Sequence, residues 1–458
     1  MYTQPRLLPL AAALLLLLVG CASRYDSRLI ERRTQQFQQR KPASPDAGES
    51  QVEDNSVSDL LQAADLEAYL AFGLRNSAHL RASFESWRAS TERVEQASTL
   101  PDPKLSFGEF LEEVQTRTGP QRRRFGISQA FPWPGELGTK ANLAERQAEV
   151  AWEHVEQSRL SVARQIEEAF YEYAYLAHEL TITRELLLLT QGLEPVVQGR
   201  IRGGAGQEDL LRLQVEIGRL EDDLASVQRR RPALSSRLAD AMNLPLEVAG
   251  SLPLPELEFP HPETRSTEEL LALALDGSPR LRAFEKQLQA ASVAEELVDF
   301  KRRPDLAARL DYIQTGDALA PGTPGSGDDP VFVGLTLSLP VWSSSYSAAE
   351  REARHVIRAA RARLDDARSS LSAEVTEVSY RVDDSQRRIR LYRESLIPRA
   401  RESLQLTTVS YRAGGASVLD LLDSERALLE FELSLWRACR EALKGEARLR
   451  ELLGGAER

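Results

Sequence analysis

Val331-Phe332-Val333-Gly334-Leu335-Thr336-Leu337-Ser338-Leu339-Pro340-Val341 decides the fold of this chain. Val331, Val333, Leu335, Leu337, Leu339 and Val341 share one face of an extended strand. Gly334, Thr336 and Ser338 share the other, with Phe332 the exception. Side chains alternate across a strand, so the run reads as a strand with one apolar face. Three more runs behave alike. Phe125, Ile127 and Phe131 oppose Arg122, Arg124, Gly126 and Ser128. Leu306, Ala308, Leu310 and Tyr312 oppose Asp305, Arg309 and Asp311. Leu105, Phe107 and Leu111 form a weaker version that includes Glu109. Each run is about 10–12 residues, near the length of a tilted membrane-spanning strand. A soluble sheet half-covered by helices would carry the same alternation. The polar stretch Thr116 to Gln121 and the Gly/Pro-rich stretch Thr315 to Pro330 read as hairpin loops.

Four strands cannot close a barrel in lipid, where open edges leave backbone groups unpaired. Spanning a membrane therefore demands an oligomer. Two chains would give eight strands with a side-chain-filled interior; three would give twelve, with room for an aqueous lumen.

Long helical patterns flank the strand pairs. Val162, Ile166, Ala169, Tyr173, Leu176 and Leu180 alternate steps of four and three. Leu421, Leu428, Phe431, Leu435, Ala438, Ala442 and Leu449 continue the same logic near the end of the chain. This is coiled-coil spacing, which a plain coiled-coil rod would share. The helix from Gly138 to Arg200 would run about 95 Å at 1.5 Å per residue. Pro195, Pro232 and Pro398 should kink or interrupt these helices, because each removes a backbone donor.

The chain is internally duplicated. Asn76-Ser77-Ala78-His79-Leu80-Arg81-Ala82 matches Gly277-Ser278-Pro279-Arg280-Leu281-Arg282-Ala283. Pro103-Lys104-Leu105 matches Pro304-Asp305-Leu306; Gly126 and Pro132 match Gly334 and Pro340. Gly203-Gly204-Ala205 with Asp209-Leu210-Leu211 matches Gly414-Gly415-Ala416 with Asp420-Leu421-Leu422. The landmarks keep their order, so two copies of one half are expected. The first repeat would occupy 59–250, with a leading helix at about 59–99, strands at about 104–115 and 121–132, and long helices at about 138–201 and 206–243. A linker at 251–265 precedes a second repeat at 266–455. Its leading helix falls at about 266–302, its strands at about 305–316 and 331–342, and its long helices at about 346–411 and 416–453.

Composition agrees with a folded chain of more than one domain. Of 458 residues, 42% are hydrophobic and 28% charged, which excludes wholesale disorder and a polytopic helical membrane protein. Two cysteines exclude a disulfide framework, and a net charge of -11 argues against nucleic acid as partner. The five histidines are scattered. His178-Glu179 begins a zincin-like helix, but Ile182 stands where the second His belongs. Gly203-Gly204-Ala205-Gly206 lacks the Lys-Ser/Thr of a phosphate loop. With Met1 and Met242 the only methionines, no methionine relay is visible. No enzyme chemistry, cofactor or metal site is expected. Cys439, on a heptad helix, reads as a small packing residue.

Leu7 to Val19 is an apolar run preceded by Arg6, short for a spanning helix and right for a signal peptide over 1–20. Leu18-Val19-Gly20-Cys21 resembles a bacterial lipobox, with Cys21 as acceptor of a covalent N-terminal diacylglycerol and fatty acyl lipid. Residues 21–58 read as a polar tether.

The duplicated helix–hairpin–helix plan resembles the trimeric outer-membrane efflux protein (TolC) family over about residues 60–455. Gly126-Ile127-Ser128-Gln129-Ala130-Phe131-Pro132-Trp133-Pro134-Gly135 resembles the heavy-metal efflux (CusC/CzcC-like) lipoprotein branch in particular. Tyr411-Arg412-Ala413-Gly414 followed by Leu419-Asp420-Leu421-Leu422-Asp423 is similar to the family's second periplasmic turn. The resemblance implies a mainly α fold with a small β part. Three chains would complete a 12-stranded outer-membrane barrel and a coiled-coil helical tunnel in the periplasm. Such a homotrimer would be a passive exit duct. It would sit in outer-membrane lipid and dock a periplasmic adaptor protein and an inner-membrane RND-type transporter, with heavy-metal cations as the branch's cargo. The alternatives are a type I secretion duct for peptides or proteins, and a coiled-coil envelope lipoprotein without a pore.

The resemblance also places site residues. Asp420 and Asp423 fall on the family's acidic gate positions, three residues apart on one helical face, and Asp209 is the first-half counterpart. A ring of such carboxylates would favour cations. Their alternative role is to start the final helix, where acids suit the dipole. Gly203, Gly204, Gly414 and Gly415 would form the tip turns where an adaptor docks, with Arg412 beside them. Ala416 stands where some members carry an arginine.

Overall fold

The computed structural model describes residues 27–39, 60–61, 65–204, 206–260 and 265–455. The expected signal peptide and the expected lipidation site, Cys21, lie outside the described residues. Part of the expected tether does not. Ser27–Gln39 forms helix α1, and its Phe37 ring stacks on Phe84 at 3.7 Å. The chain divides into two compact units. One holds Glu85–Trp152 and Arg282–Asp365 with the N-terminal residues up to Thr34; the other holds Gln35–Phe84, Glu153–Leu281 and Asp366–Arg458.

Helices α2 (Leu66–Asn76) and α3 (Ala78–Ser98) lead into β1 (Lys104–Thr116) and β2 (Gly119–Phe131). Then come α4 (Glu136–Arg202), α5 (Glu208–Ala241) and the short α6 (Leu246–Ala249). The second half repeats the order: α7 (Thr267–Gly277), α8 (Pro279–Phe300), β3 (Asp305–Thr315), β4 (Val331–Ser338), α9 (Ser343–Leu391), a π-helical turn (Tyr392–Leu396), α10 (Ile397–Arg412) and α11 (Val418–Leu452).

The leading helix of each half, expected unbroken, is split at a duplicated serine. Ser77 and Ser278 take extended backbone, and the buried Ser77 hydroxyl accepts the Leu80 amide at 3.2 Å. Pro279 opens α8, where its missing N–H costs nothing. The prolines also depart from expectation. α4 runs 67 residues through Pro195, and α5 runs through Pro232. Packing overrides the local penalty around Pro195, whose neighbours Leu193 and Val197 are buried. Before Pro398 the helix widens instead. The Ile397 amide reaches back five residues to the Tyr392 carbonyl, a π-turn that relieves a clashing ring. β4 ends at Ser338, two residues before Pro340.

The first unit contains one antiparallel sheet in the order β1-β2-β3-β4. Its central pair, β2 with β3, joins the two halves of the duplication. Register puts Leu105, Ile127, Leu310 and Val333 in one row, and Phe107, Phe125, Tyr312 and Val331 in the next. Directly paired residues share a face, so the apolar sets of all four strands merge. These side chains are exposed, Leu335 at 74% and Leu105 at 84%. The outer edges of β1 and β4 pair with no strand among the described residues.

The second unit holds the main core. The heptad residues Val162, Ile166, Ala169, Tyr173, Leu176 and Leu180 of α4 are all buried, with Leu238 and Met242 from the α5 end and Cys439 and Ala442 of α11. Burying an aliphatic side chain of this kind contributes roughly 1.5–3 kcal/mol, enough to order helices that would be marginal alone. Tyr173 donates its hydroxyl hydrogen to the Leu252 carbonyl at 2.9 Å, which fastens the linker between the repeats. Cys439 is fully buried and its thiol is pushed up to about 12 by burial, as suits a packing residue. Among the described residues no helix is long and apolar enough to cross a membrane.

Candidate functional site

Polar side chains gather at the helix turns at the end of α4 and α10 in the second unit, and on one face of the sheet in the first.

At the turns, α4 ends with Gly204 at φ +105°, whose amide bonds the Ile201 carbonyl at 3.0 Å. α10 ends with Gly414 at φ +86°. Its amide bonds Tyr411 at 3.1 Å, and the Gly415 amide bonds Ser410 at 2.9 Å. This is a Schellman motif, which needs one left-handed residue, and glycine takes that conformation without steric cost. Gly203 and Gly415 are not left-handed, so each turn uses one of its two glycines. Arg412 is exposed on the last turn of α10.

The two turns are joined by a residue that sequence reasoning passed over. Arg200 places its guanidinium 4.2 Å from the centre of the Tyr411 ring, and its Nη1 donates to the Ala416 carbonyl at 3.3 Å. Tyr411 is buried, and a small apolar cluster of Leu193, Val197, Leu213, Val418, Leu421 and Leu422 surrounds it. Burial raises the Tyr411 hydroxyl; Arg200 opposes this and the nearby Asp209 adds to it. Asp209, half-buried in the first turn of α5, thus acts on the Tyr411 hydroxyl through its charge. No sequence signal marks Arg200, because its partners lie more than 200 positions away.

Asp420 and Asp423 have separate local partners. The Asp420 carboxylate accepts the Ser417 amide at 2.9 Å and the Ser417 hydroxyl at 2.7 Å, while the Ser417 oxygen accepts the Asp420 amide at 3.2 Å. This capping box starts α11. The Ser417 amide bond holds the carboxyl below its ordinary range. Asp423 is exposed and meets Arg426 at 3.4 Å. Arg426 in turn grips Glu216 of α5 through two bonds of 2.5 and 3.1 Å. Glu216 is buried, and so is Glu425, whose Oε2 lies 3.2 Å from the Thr190 hydroxyl of α4. Burial pushes the Glu425 carboxyl up to about 7, with Glu216 adding to the shift and Thr190 opposing it.

On the sheet, the face opposite the apolar rows carries charge. Arg124 of β2 holds the Asp311 carboxylate with bonds of 3.1 and 2.7 Å, and Arg309 holds it from the other side at 3.0 Å. Asp311 is 0% exposed, whereas each arginine side chain remains 40% exposed. The alternation had placed these residues on the polar face; their pairing required the register. Among the described residues, no three His, Cys, Asp or Glu side chains cluster as metal ligands.

Residues 270–455 match the model of the family described as Outer membrane efflux protein. The second repeat carries the match. The cobalt-zinc-cadmium resistance protein CzcC of Cupriavidus metallidurans is 23% identical over 375 residues, spanning 80% of this chain and 84% of that protein. The alkaline protease secretion protein AprF of Pseudomonas aeruginosa is 28% identical over 257 residues, 55% of this chain and 53% of AprF. Among solved structures, the outer membrane protein VceC of Vibrio cholerae superposes with a TM-score of 0.72 at 19% identity, covering 86% of this chain and 97% of VceC. The outer-membrane efflux resemblance and the TolC-like fold read from the sequence are thus both borne out.

Proposed function

We infer that the protein is the outer-membrane channel of an efflux system, a passive duct that other components load. The four-stranded sheet carries this reading. One face presents contiguous rows of exposed apolar side chains, the other holds charge, and both edges lack partners among the described residues. Water does not stabilise such a face, and lipid does not tolerate such edges. Copies of the chain resolve both faults by pairing β1 of one with β4 of the next. Three copies give twelve strands and an open lumen; two would fill theirs with side chains. Trp133 and the 74% exposed Trp342, beside the sheet's helix-bearing end, suit a membrane interface.

The duct is a homotrimer whose long helices form a periplasmic tunnel, and Cys21 carries its lipid. An adaptor docks at the Gly203-Gly204 and Gly414-Gly415 turns beside Arg412, and an inner-membrane transporter supplies the energy. Asp209, Asp420 and Asp423 line the periplasmic gate. CzcC supports metal export, and AprF supports a secretion duct as the second reading.

The test is the mass of the detergent-extracted, lipidated protein, corrected for bound detergent. Three chains is the expected result. A single chain, or release without detergent, would sink the duct and leave a coiled-coil envelope spacer. Metal and protein export in a deletion strain then separates the two cargo readings.

A further inference from the structure

The charged face of the sheet resolves into rows. Lys104, Ser128, Arg309 and Gly334 form one row across the four strands. Ser106, Gly126, Asp311 and Phe332 form the next, and Gly108, Arg124 and Ile313 the one beyond. Three successive rows thus hold three cations and one carboxylate. The next acid on this face toward the helices is Asp305, two rows past Arg309. On the other side, Glu112 lies in the irregular stretch between Glu109 and Val114.

Exposure sharpens the imbalance. Asp311 is wholly covered by the two arginines, which remain 40% exposed, and Lys104 is exposed. A solute passing this face meets guanidinium and ammonium groups and does not reach the carboxylate. Arg309 bonds Asp311 through Nε, so its terminal nitrogens remain for another acceptor. A guanidinium presents a planar fork that matches a carboxylate or a phosphate.

We propose that Lys104, Arg124 and Arg309 form an anion-binding belt on the inner wall of the barrel, which selects cargo bearing carboxylate or phosphate groups. The proposal rests on the trimeric-duct reading, since three copies close the belt into a ring. Rings of Lys and Arg favour anions in a pore, as rings of Asp and Glu favour cations. Bare metal cations are then poor cargo, and a metal would leave as an anionic complex.

The experiment uses the purified full-length protein in planar bilayers under a KCl gradient, with Asp420→Ala and Asp423→Ala to loosen the tip. Reversal potentials should show chloride preferred over potassium by about threefold, as expected for a cationic ring partly screened by salt. Lys104→Glu should abolish or reverse that preference, and Arg309→Gln should reduce it. Potassium preference in the parent, or selectivity unmoved by Lys104→Glu, would overturn the belt. A one-chain mass overturns the duct and the belt together. If a three-chain protein passes no current, arginine modification by phenylglyoxal decides. Inorganic pyrophosphate should protect Arg124 and Arg309 severalfold relative to the exposed Arg351; equal modification of all three overturns the belt and leaves the duct standing.

Discussion

Gly126 lies directly opposite Asp311 in the β2–β3 register, and a methyl group at position 126 would fall 2.3 Å from the Asp311 carboxylate oxygen and 2.6 Å from the Ser106 hydroxyl. The absent side chain makes room for the carboxylate between its two arginines. Gly126→Ala should push Asp311 out of register with Arg124 and Arg309. Overpacking of this kind costs about 1–3 kcal/mol. The heat-dissociation temperature of the oligomer should drop, and Asp311→Ala in the same background should recover part of the packing loss. An unchanged dissociation temperature for Gly126→Ala would mean that the wall yields more easily than its contacts indicate.

The apolar rows make a positional prediction. In the proposed duct, Val333→Arg or Leu335→Arg would face the bilayer and should cost about 2–4 kcal/mol per chain, the scale of an arginine at the midplane. Arginine at Thr336, one residue along and on the charged face, should be tolerated. Insertion into lipid vesicles, followed by heat-modifiable gel mobility, reads the difference. Equal effects at Leu335 and Thr336 would remove the case for a lipid-facing side.

Glu425 gives the second unit a pH dependence. The Thr190 hydroxyl has one hydrogen and two acceptors in reach, the Leu186 carbonyl at 2.9 Å and Glu425 at 3.2 Å. A protonated Glu425 satisfies both contacts by donating to Thr190 while Thr190 donates to Leu186. The carboxyl titrates at about 7 here against 4.5 when free, so folding favours the neutral acid. The stabilisation is complete below about pH 4.5 and is lost as pH rises through about 7, on the order of 3 kcal/mol per chain in total. Hydrogen exchange at residues 186–190 and 421–428, corrected for intrinsic rate, should quicken from pH 5.5 to pH 8. Glu425→Gln should flatten that change; a slope that survives the substitution would assign it to another group.

Arg200 couples the two turns across the duplication. Arg200→Ala should loosen them by about 1 kcal/mol, the scale of one partly buried cation–π contact. Arg200→Lys keeps the charge without the planar stack and should fall between. Single-channel recordings should show more frequent opening in the order Arg, Lys, Ala. Identical gating in all three would confine Arg200 to a structural role.

Several features were legible in the sequence because they are periodic or repeated. Strand alternation marked the apolar face of the sheet, and heptad spacing marked the buried stripe of α4, from Val162 to Leu180. The duplicated landmarks located both hairpins and both tip turns. The serines that split the leading helices, Ser77 and Ser278, lie within those landmarks, yet the pattern alone predicts one unbroken helix there. A cap depends on the backbone at the serine itself, which periodicity does not report.

Local rules are written in the sequence: which face of each strand is apolar, where a turn needs Gly204 or Gly414, and that four strands leave open edges. Which distant residues meet is set by the fold. Arg124 and Asp311 are 187 positions apart, and Arg426 and Glu216 are 210 apart. Pairing across such separations depends on strand register and helix packing, because one residue of slip carries a side chain to the opposite face. Burial is likewise a property of the assembled core. Glu425 reads in the sequence as one more helical acid, and the surrounding helices raise its pKa by excluding water from its charged form.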